Sequence, residues 1–227
     1  MEAETSTTTA PPVLTPGEVR VLGCLIEKSY TTPDSYPMSL NSLQNACNQK
    51  SSRHPIVQYD ENMVDRAVEG LRAKGWATLV HTAGGRTRKF KHEARHKFQF
   101  TDGELGILCV LMLRGIQSLG ELRSRTDRIV KFSTLSEAEE ATRELERGYP
   151  TSFVRQLPRA KGQKDPRFTH LLCGEPDNLP LLEEPDSQVS PAGLESRVSR
   201  LESELHTLRD ELDSVRKILD EFREQFR

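Results

Sequence analysis

The chain has 227 residues, a formal net charge of −2, and a composition of 35% hydrophobic and 29% charged residues. That length leaves room for two small cores, and no apolar stretch approaches the length of a membrane span, so no membrane partner is expected. Four cysteines, at positions 24, 47, 109 and 173, are far apart and form no CxxC pair, which favours buried free thiols in a reducing cytoplasm over disulfides or a zinc site.

Residues 1–13, rich in Thr, Ala and Pro, lack the basic start, apolar stretch and cleavage pattern of a signal peptide, and read as a disordered tail. The next segment, Leu14-Thr-Pro-Gly-Glu-Val, opens a helix near 16–28. Thr15 caps it, Glu18 completes a capping box, and Leu14 with Val19 forms a hydrophobic staple. Helical spacing continues over 39–47, at Leu40, Leu43 and Cys47, and over 61–74, at Val64, Ala67, Val68 and Leu71. After Gly75 the pattern changes to two strands, Trp76–His81 and Thr87–His92, around a Gly-rich turn. Three helices and a two-stranded hairpin outline a winged helix-turn-helix domain over residues 14–98.

The same order recurs over residues 99–175. Phe100-Thr-Asp-Gly-Glu-Leu repeats the opening, with Thr101 and Glu104 as the capping box and Phe100 with Leu105 as the staple. Ser118, Leu119 and Leu122 answer Ser39, Leu40 and Leu43, and Phe168-Thr-His170 answers Phe90-Lys-His92. Helices are predicted near 102–114, 118–124 and 136–147, with capping boxes at Ser118–Glu121 and Ser136–Glu139, and strands near 152–156 and 167–172. The fold class is therefore α+β, mostly α: two tandem winged helix-turn-helix domains followed by a long coiled-coil helix.

That last helix follows an acidic, Pro-rich linker at 176–193. From 194 to 227 the chain is heptadic, with Val198, Leu205, Leu212 and Leu219 on position a and Leu201, Leu208, Val215 and Phe222 on d. A parallel dimer pairs Arg197 with Glu202, Glu204 with Arg209 and Glu211 with Arg216, all complementary. An antiparallel one would bring Arg209, Arg216 and Arg223 together. The expectation is a parallel homodimer; a helix folded back on its own domains is the alternative.

Charge is divided unevenly. Residues 15–100 carry 13 basic and 8 acidic groups, whereas residues 177–227 carry 7 and 13. The first hairpin concentrates the cations: Arg86, Arg88, Lys89 and Lys91 follow a Gly-Gly turn, suited to lying along a phosphate backbone, though an ordinary solvated hairpin has the same composition. The second hairpin repeats the sign with Arg159, Lys161, Lys164 and Arg167. Between the second and third helices of the first copy lie Asn48, Gln49, Lys50 and Arg53, side chains able to read base edges or hold phosphates. Both third helices, by contrast, are net acidic, which opposes entry into a groove lined by phosphates.

His92-Glu-Ala-Arg-His96 matches H-E-x-x-H, a zinc-protease motif when it lies on one helix. Its position as the counterpart of Phe168-Thr-His170, its basic flanks and the nearness of the capped helix at Thr101 argue against that chemistry. Phosphate-loop, nucleophile-elbow and dinucleotide motifs are absent from the sequence. The reading is a non-enzymatic protein without metal or cofactor.

The segment from Glu27-Lys-Ser-Tyr-Thr-Thr-Pro-Asp-Ser-Tyr-Pro-Met to Lys50-Ser-Ser-Arg-His-Pro55, together with Leu113-Arg-Gly-Ile-Gln-Ser-Leu-Gly-Glu-Leu-Arg-Ser-Arg125, resembles the signature of the YceH family of bacterial proteins. The resemblance covers about residues 14–175 and implies a tandem winged-helix fold in a cytoplasmic bacterial protein that dimerises. It brings no assigned activity, catalytic residue or ligand. The leading expectation is a dimeric DNA-binding or regulatory protein touching double-stranded DNA through its basic wings. The alternative is a protein–protein adaptor, similar in architecture to tandem winged-helix scaffolds of chromosome segregation, holding an unidentified protein partner.

Overall fold

A computed structural model describes residues 13–80, 87–148, 152–159, 163–174 and 209. Its first helix, α1 (Pro16–Thr31), starts as its sequence dictates. The Thr15 hydroxyl accepts from the Glu18 backbone N–H at 3.3 Å, and the Thr15 N–H donates to the Glu18 carboxylate at 2.6 Å. Every residue from Glu18 to Ile26 is then buried. A helix enclosed on all sides sits at the centre of a fold. α1 packs on one side against α2 (Leu40–Cys47) and α3 (Glu61–Ala73), and on the other against α5 (Asp102–Arg114), which is itself buried from Leu105 to Leu113.

The contact between α1 and α5 is close because Gly23 has no side chain. A Cβ there would lie 2.8 Å from Leu113 Cδ2, and the Cys109 thiol donates to the Gly23 carbonyl at 3.4 Å. The two cores expected from chain length are thus one: buried side chains of both copies form a single cluster, and the described residues from Val13 to Gly174 belong to one compact unit. The reason is visible in the sequence only afterwards. Leu105 to Leu113 is apolar on every face, so it has to be covered from two sides.

Each copy also carries one strand more than its hairpin. β1 (Met38–Ser39) leads into α2 and pairs antiparallel with the return strand β3 (Lys89–His92), which pairs in turn with β2 (Ala77–Val80), giving the order β1-β3-β2. The second copy repeats this with β4 (Gln117–Ser118), α6 (Leu119–Arg125), α7 (Leu135–Arg147), β5 (Val154–Gln156) and β6 (Arg167–His170), in the order β4-β6-β5. A short helix, α4 (Ala94–Phe98), joins the copies. Architecture is therefore α+β, with helices dominant and two small antiparallel sheets.

One predicted cap moves. The Ser118–Glu121 box forms, but α7 is capped by Thr134, whose hydroxyl accepts from the Glu137 N–H at 3.2 Å, while the Ser133 N–H donates to the Glu137 carboxylate at 2.8 Å. The Ser136–Glu139 box is not made, because the helix has already begun at Leu135. At the joint between copies, Trp76, Phe98, Phe100 and Phe153 stack, with centroids 4.6 Å apart for Trp76–Phe98 and 4.8 Å for Phe98–Phe153. The seam residues Val198, Leu201, Leu205, Leu208, Leu212, Val215, Leu219 and Phe222 lie outside the described residues.

Candidate nucleic-acid interface

Alternation along β3 sorts the basic run into two groups. Phe90 points into the core and is fully buried, so Lys89 and Lys91, one residue to either side, occupy the opposite face of the strand. Arg88 turns the other way. Its guanidinium sits 2.7 Å from the Asp65 carboxylate and 3.3 Å from that of Glu69, both on α3, and lies over the Phe90 ring. The acidic third helix thus holds a cation of its own hairpin, and half-exposed Arg88 is shared between these carboxylates and solvent. Lys91 keeps its outward position with Glu93 at 3.1 Å.

Strand register adds something the sequence did not suggest. Lys89 is the β-ladder partner of Ser39, the N-cap of α2, and in the second copy Arg167 is the partner of Ser118, the N-cap of α6. Each copy therefore sets one cation beside the capping serine of its short second helix. Arg159 and Lys164 are exposed near the second hairpin, whereas Arg86 and Lys161 lie outside the described residues.

The 48–54 loop is built differently from the expectation. Arg53 is buried, with its side chain fully enclosed. It donates to both oxygens of Glu27, at 3.0 and 2.6 Å, to the Ala46 and Ser52 carbonyls, and to the Gln49 side chain at 3.0 Å. Burial works to raise the Glu27 carboxyl, but the Arg53 and Lys28 cations outweigh it and hold it below the ordinary value. Asn48 spends its amide on the chain itself: Oδ1 accepts from the Tyr59 N–H at 2.7 Å and Nδ2 donates to the Tyr59 carbonyl at 2.8 Å. Arg53, its side chain enclosed, is thus corrected from a base or phosphate reader to a loop anchor; Asn48 and Gln49 are half-buried and also bond within the loop, and Lys50 stands exposed.

The same loop ties the copies together. The His54 N–H donates to the Leu113 carbonyl at 2.8 Å and Arg114 donates to the Ser52 hydroxyl at 2.7 Å, while within the first copy Arg20, on α1, donates to the Pro55 carbonyl. Arg20, buried within an apolar stretch of α1, escaped the sequence reading. A lone cation at an inward helical position between Val19 and Val21 was the available signal.

The H-E-x-x-H segment does not form one helix. His92 ends β3, with its backbone N–H on the Tyr36 hydroxyl at 2.7 Å and Nε2 at 3.3 Å from the Ser29 hydroxyl, while His96 lies in α4. Two imidazoles on separate elements lose the shared face that zinc binding by this motif needs. Among the described residues no group of three or more His, Cys, Asp or Glu side chains could hold a metal ion, and no helix is long and apolar enough to cross a membrane.

Fold and surface together define an α+β protein made of one helix–strand unit used twice around a shared core, with an outward cation on each return strand. The chain belongs to the family described as protein of unknown function DUF480, which matches residues 14–163. It is similar to the UPF0502 protein of Citrifermentans bemidjiense, at 48% identity over 184 residues, covering 81% of this chain and 84% of that one. It is also similar to the UPF0502 proteins of Opitutus terrae, at 50% identity with 72% and 71% covered, and Vibrio cholerae, at 40% identity with 78% and 84% covered.

Proposed function

We propose that this protein is a cytoplasmic DNA-binding or regulatory protein, dimeric through its heptad segment, that grips duplex phosphates with its return strands. The reading takes each copy as a winged helix, because the order helix, short strand, helix, helix, hairpin is that of the winged helix-turn-helix, and it keeps the likeness to YceH proteins. The observation that carries it is the repeat-equivalent placement of Lys89 beside Ser39 and Arg167 beside Ser118. A cation next to a hydroxyl, outward on a strand and used twice, suits phosphate positioning without base reading. Lys50, Lys91, Arg159 and Lys164 extend the surface. Arg88 stays with Asp65 and Glu69.

Fluorescence anisotropy with labelled random-sequence duplex tests this. Binding should be tight at low salt and fall steeply as salt rises, because each neutralised phosphate releases counterions. The Lys89→Glu, Lys91→Glu, Arg167→Glu variant should lose it while keeping the wild-type circular dichroism. Unchanged affinity in that variant removes the wings from the interface.

A protein–protein adaptor is the second reading, favoured by α7, which exposes Glu137, Glu139, Glu140 and Glu144, with Leu135 at its start 46% exposed. Under this reading wild-type protein fails to bind duplex even at low salt, and a single stoichiometric partner co-purifies from nuclease-treated lysate.

A further inference from the structure

The four amides in and just after α2 divide into two pairs. Gln44 Nε2 donates to the Tyr59 carbonyl at 3.2 Å, and Asn48 bonds to both the N–H and the carbonyl of that same residue, so this pair closes the loop that follows the helix. Asn41 and Asn45 do nothing of the kind. Both are exposed, four residues apart on one face, and among the described residues their side chains bond only to each other, with Asn45 Nδ2 donating to Asn41 Oδ1 at 3.2 Å. That bond sets the two amides relative to one another. It leaves Asn41 Nδ2 as an uncommitted donor and Asn45 Oδ1 as an uncommitted acceptor, one turn apart.

The rest of α2 suits this face. Leu43, Ala46 and Cys47 are buried, and among the described α-helices this one alone carries no charged side chain, so Asn41, Ser42 and Asn45 present an uncharged, hydrogen-bonding surface. Cations stand at both of its ends: Lys89 beside the N-cap Ser39, and exposed Lys50 three residues past Cys47. A helix of this length spans about 12 Å, close to the ~12 Å width of the major groove of duplex DNA. Its two ends can therefore meet opposite backbones while its middle faces bases. α3 has the opposite character, since Asp60, Glu61, Asp65 and Glu69 set carboxylates along it that phosphates repel. The second copy supplies the contrast. With Leu119 answering Leu40, Gly120 and Ser124 stand on α6 where Asn41 and Asn45 stand on α2. A Cβ built at Gly120 meets nothing within 4 Å, so packing does not forbid a larger side chain there. That copy keeps the cation beside its capping serine and lacks the amide pair.

We propose that α2, and not the acidic α3, enters the major groove, and that Asn41 and Asn45 read an adenine there while the second copy holds backbone alone. The inference rests on the phosphate-gripping reading and adds sequence discrimination to it. Adenine offers its N7 acceptor and N6 donor on the major-groove edge, and an amide donor beside an amide acceptor is the complement of that pattern. Guanine offers two acceptors at the same edge and leaves the amide oxygen unmatched. Lys89 and Lys50 set the register of the helix on the duplex, and the amide pair specifies the base.

The test is selection by the full-length protein from a random-sequence duplex library, followed by anisotropy on the enriched duplex and on the unselected library. Enriched sites should share an A·T pair and bind roughly tenfold tighter than the library. The Asn41→Ala, Asn45→Ala variant, in which alanine favours the helix more than asparagine does, should lose most of that ratio. Asn62→Ala, on the exposed side of α3, should keep it. Three results overturn the proposal while leaving phosphate binding in place: library binding without any enriched site, an enriched site whose ratio survives the loss of both amides, or a ratio that falls in Asn62→Ala instead. Absence of binding to any duplex at low salt overturns the phosphate reading and this inference together.

Discussion

Arg53 shows how a single side chain can look like a ligand contact and serve as an anchor. Its guanidinium has no exposed surface, and Glu27, its principal partner, is largely enclosed as well. Removing one member of a buried pair leaves the other as an uncompensated charge. Arg53→Ala should cost about 3–5 kcal/mol in urea unfolding, whereas Lys50→Ala, on an exposed side chain of the same loop, should change stability by less than about 0.5 kcal/mol. Equal effects from the two would mean that Glu27 finds enough compensation in Lys28, 3.6 Å away. Residues of this kind were illegible in the sequence for a physical reason. Asn, Gln, Lys and Arg in a loop suit base edges, phosphates and loop closure equally, and what separates these uses is a partner 26 positions upstream in a different element.

Elements were read more securely where their signals are local. Thr15, Thr101 and Ser118 cap the helices they were expected to cap, since cap and carboxylate are three residues apart and need no tertiary information. Two-residue strands such as Met38–Ser39 and Gln117–Ser118 are too short for any alternation to register, and only pairing to a return strand defines them. Those return strands end in a matched pair, His92 and His170. Burial lowers both imidazoles to about 4, and among the described residues neither Nδ1 has a hydrogen-bond partner. Around His92, Glu93 works to raise the value, while Arg95, His96 and Lys91 lower it further. An unfolded chain takes up these protons near 6.5, whereas the folded chain resists until about 4. The histidine contribution to stability should therefore be full above pH 6.5, fall through that window as acid is added and level off below it, up to about 3 kcal/mol for each ring, while Glu18 and Glu27, held below the ordinary carboxylate value, add a further loss at lower pH. Urea midpoints across the window measure this. His92→Asn, His170→Asn should flatten the curve, and a wild-type midpoint constant through the window would contradict the burial of both rings.

At the scale of the molecule, the duplication was legible but its consequence was not. Equal spacing of motifs says that a unit occurs twice; it does not say whether the two units keep separate cores. The deciding fact is that α1 and α5 are each buried around their circumference and meet at Gly23, so neither copy encloses its first helix alone. Unfolding should therefore be a single transition in spite of the repeat. Trp76, the chain's one tryptophan, stacks on Phe98 and Phe153 and so reports on the joint between copies. Its fluorescence and the far-ultraviolet circular dichroism should give the same urea midpoint. Gly23→Leu, which forces a side chain into the space of Leu113 and Met112, should move both midpoints together and cost about 1–3 kcal/mol or more. If it split the transition in two, with fluorescence lost before helicity, each copy would hold its own helices without the other. The shared core would then be a docking surface between two independently stable units.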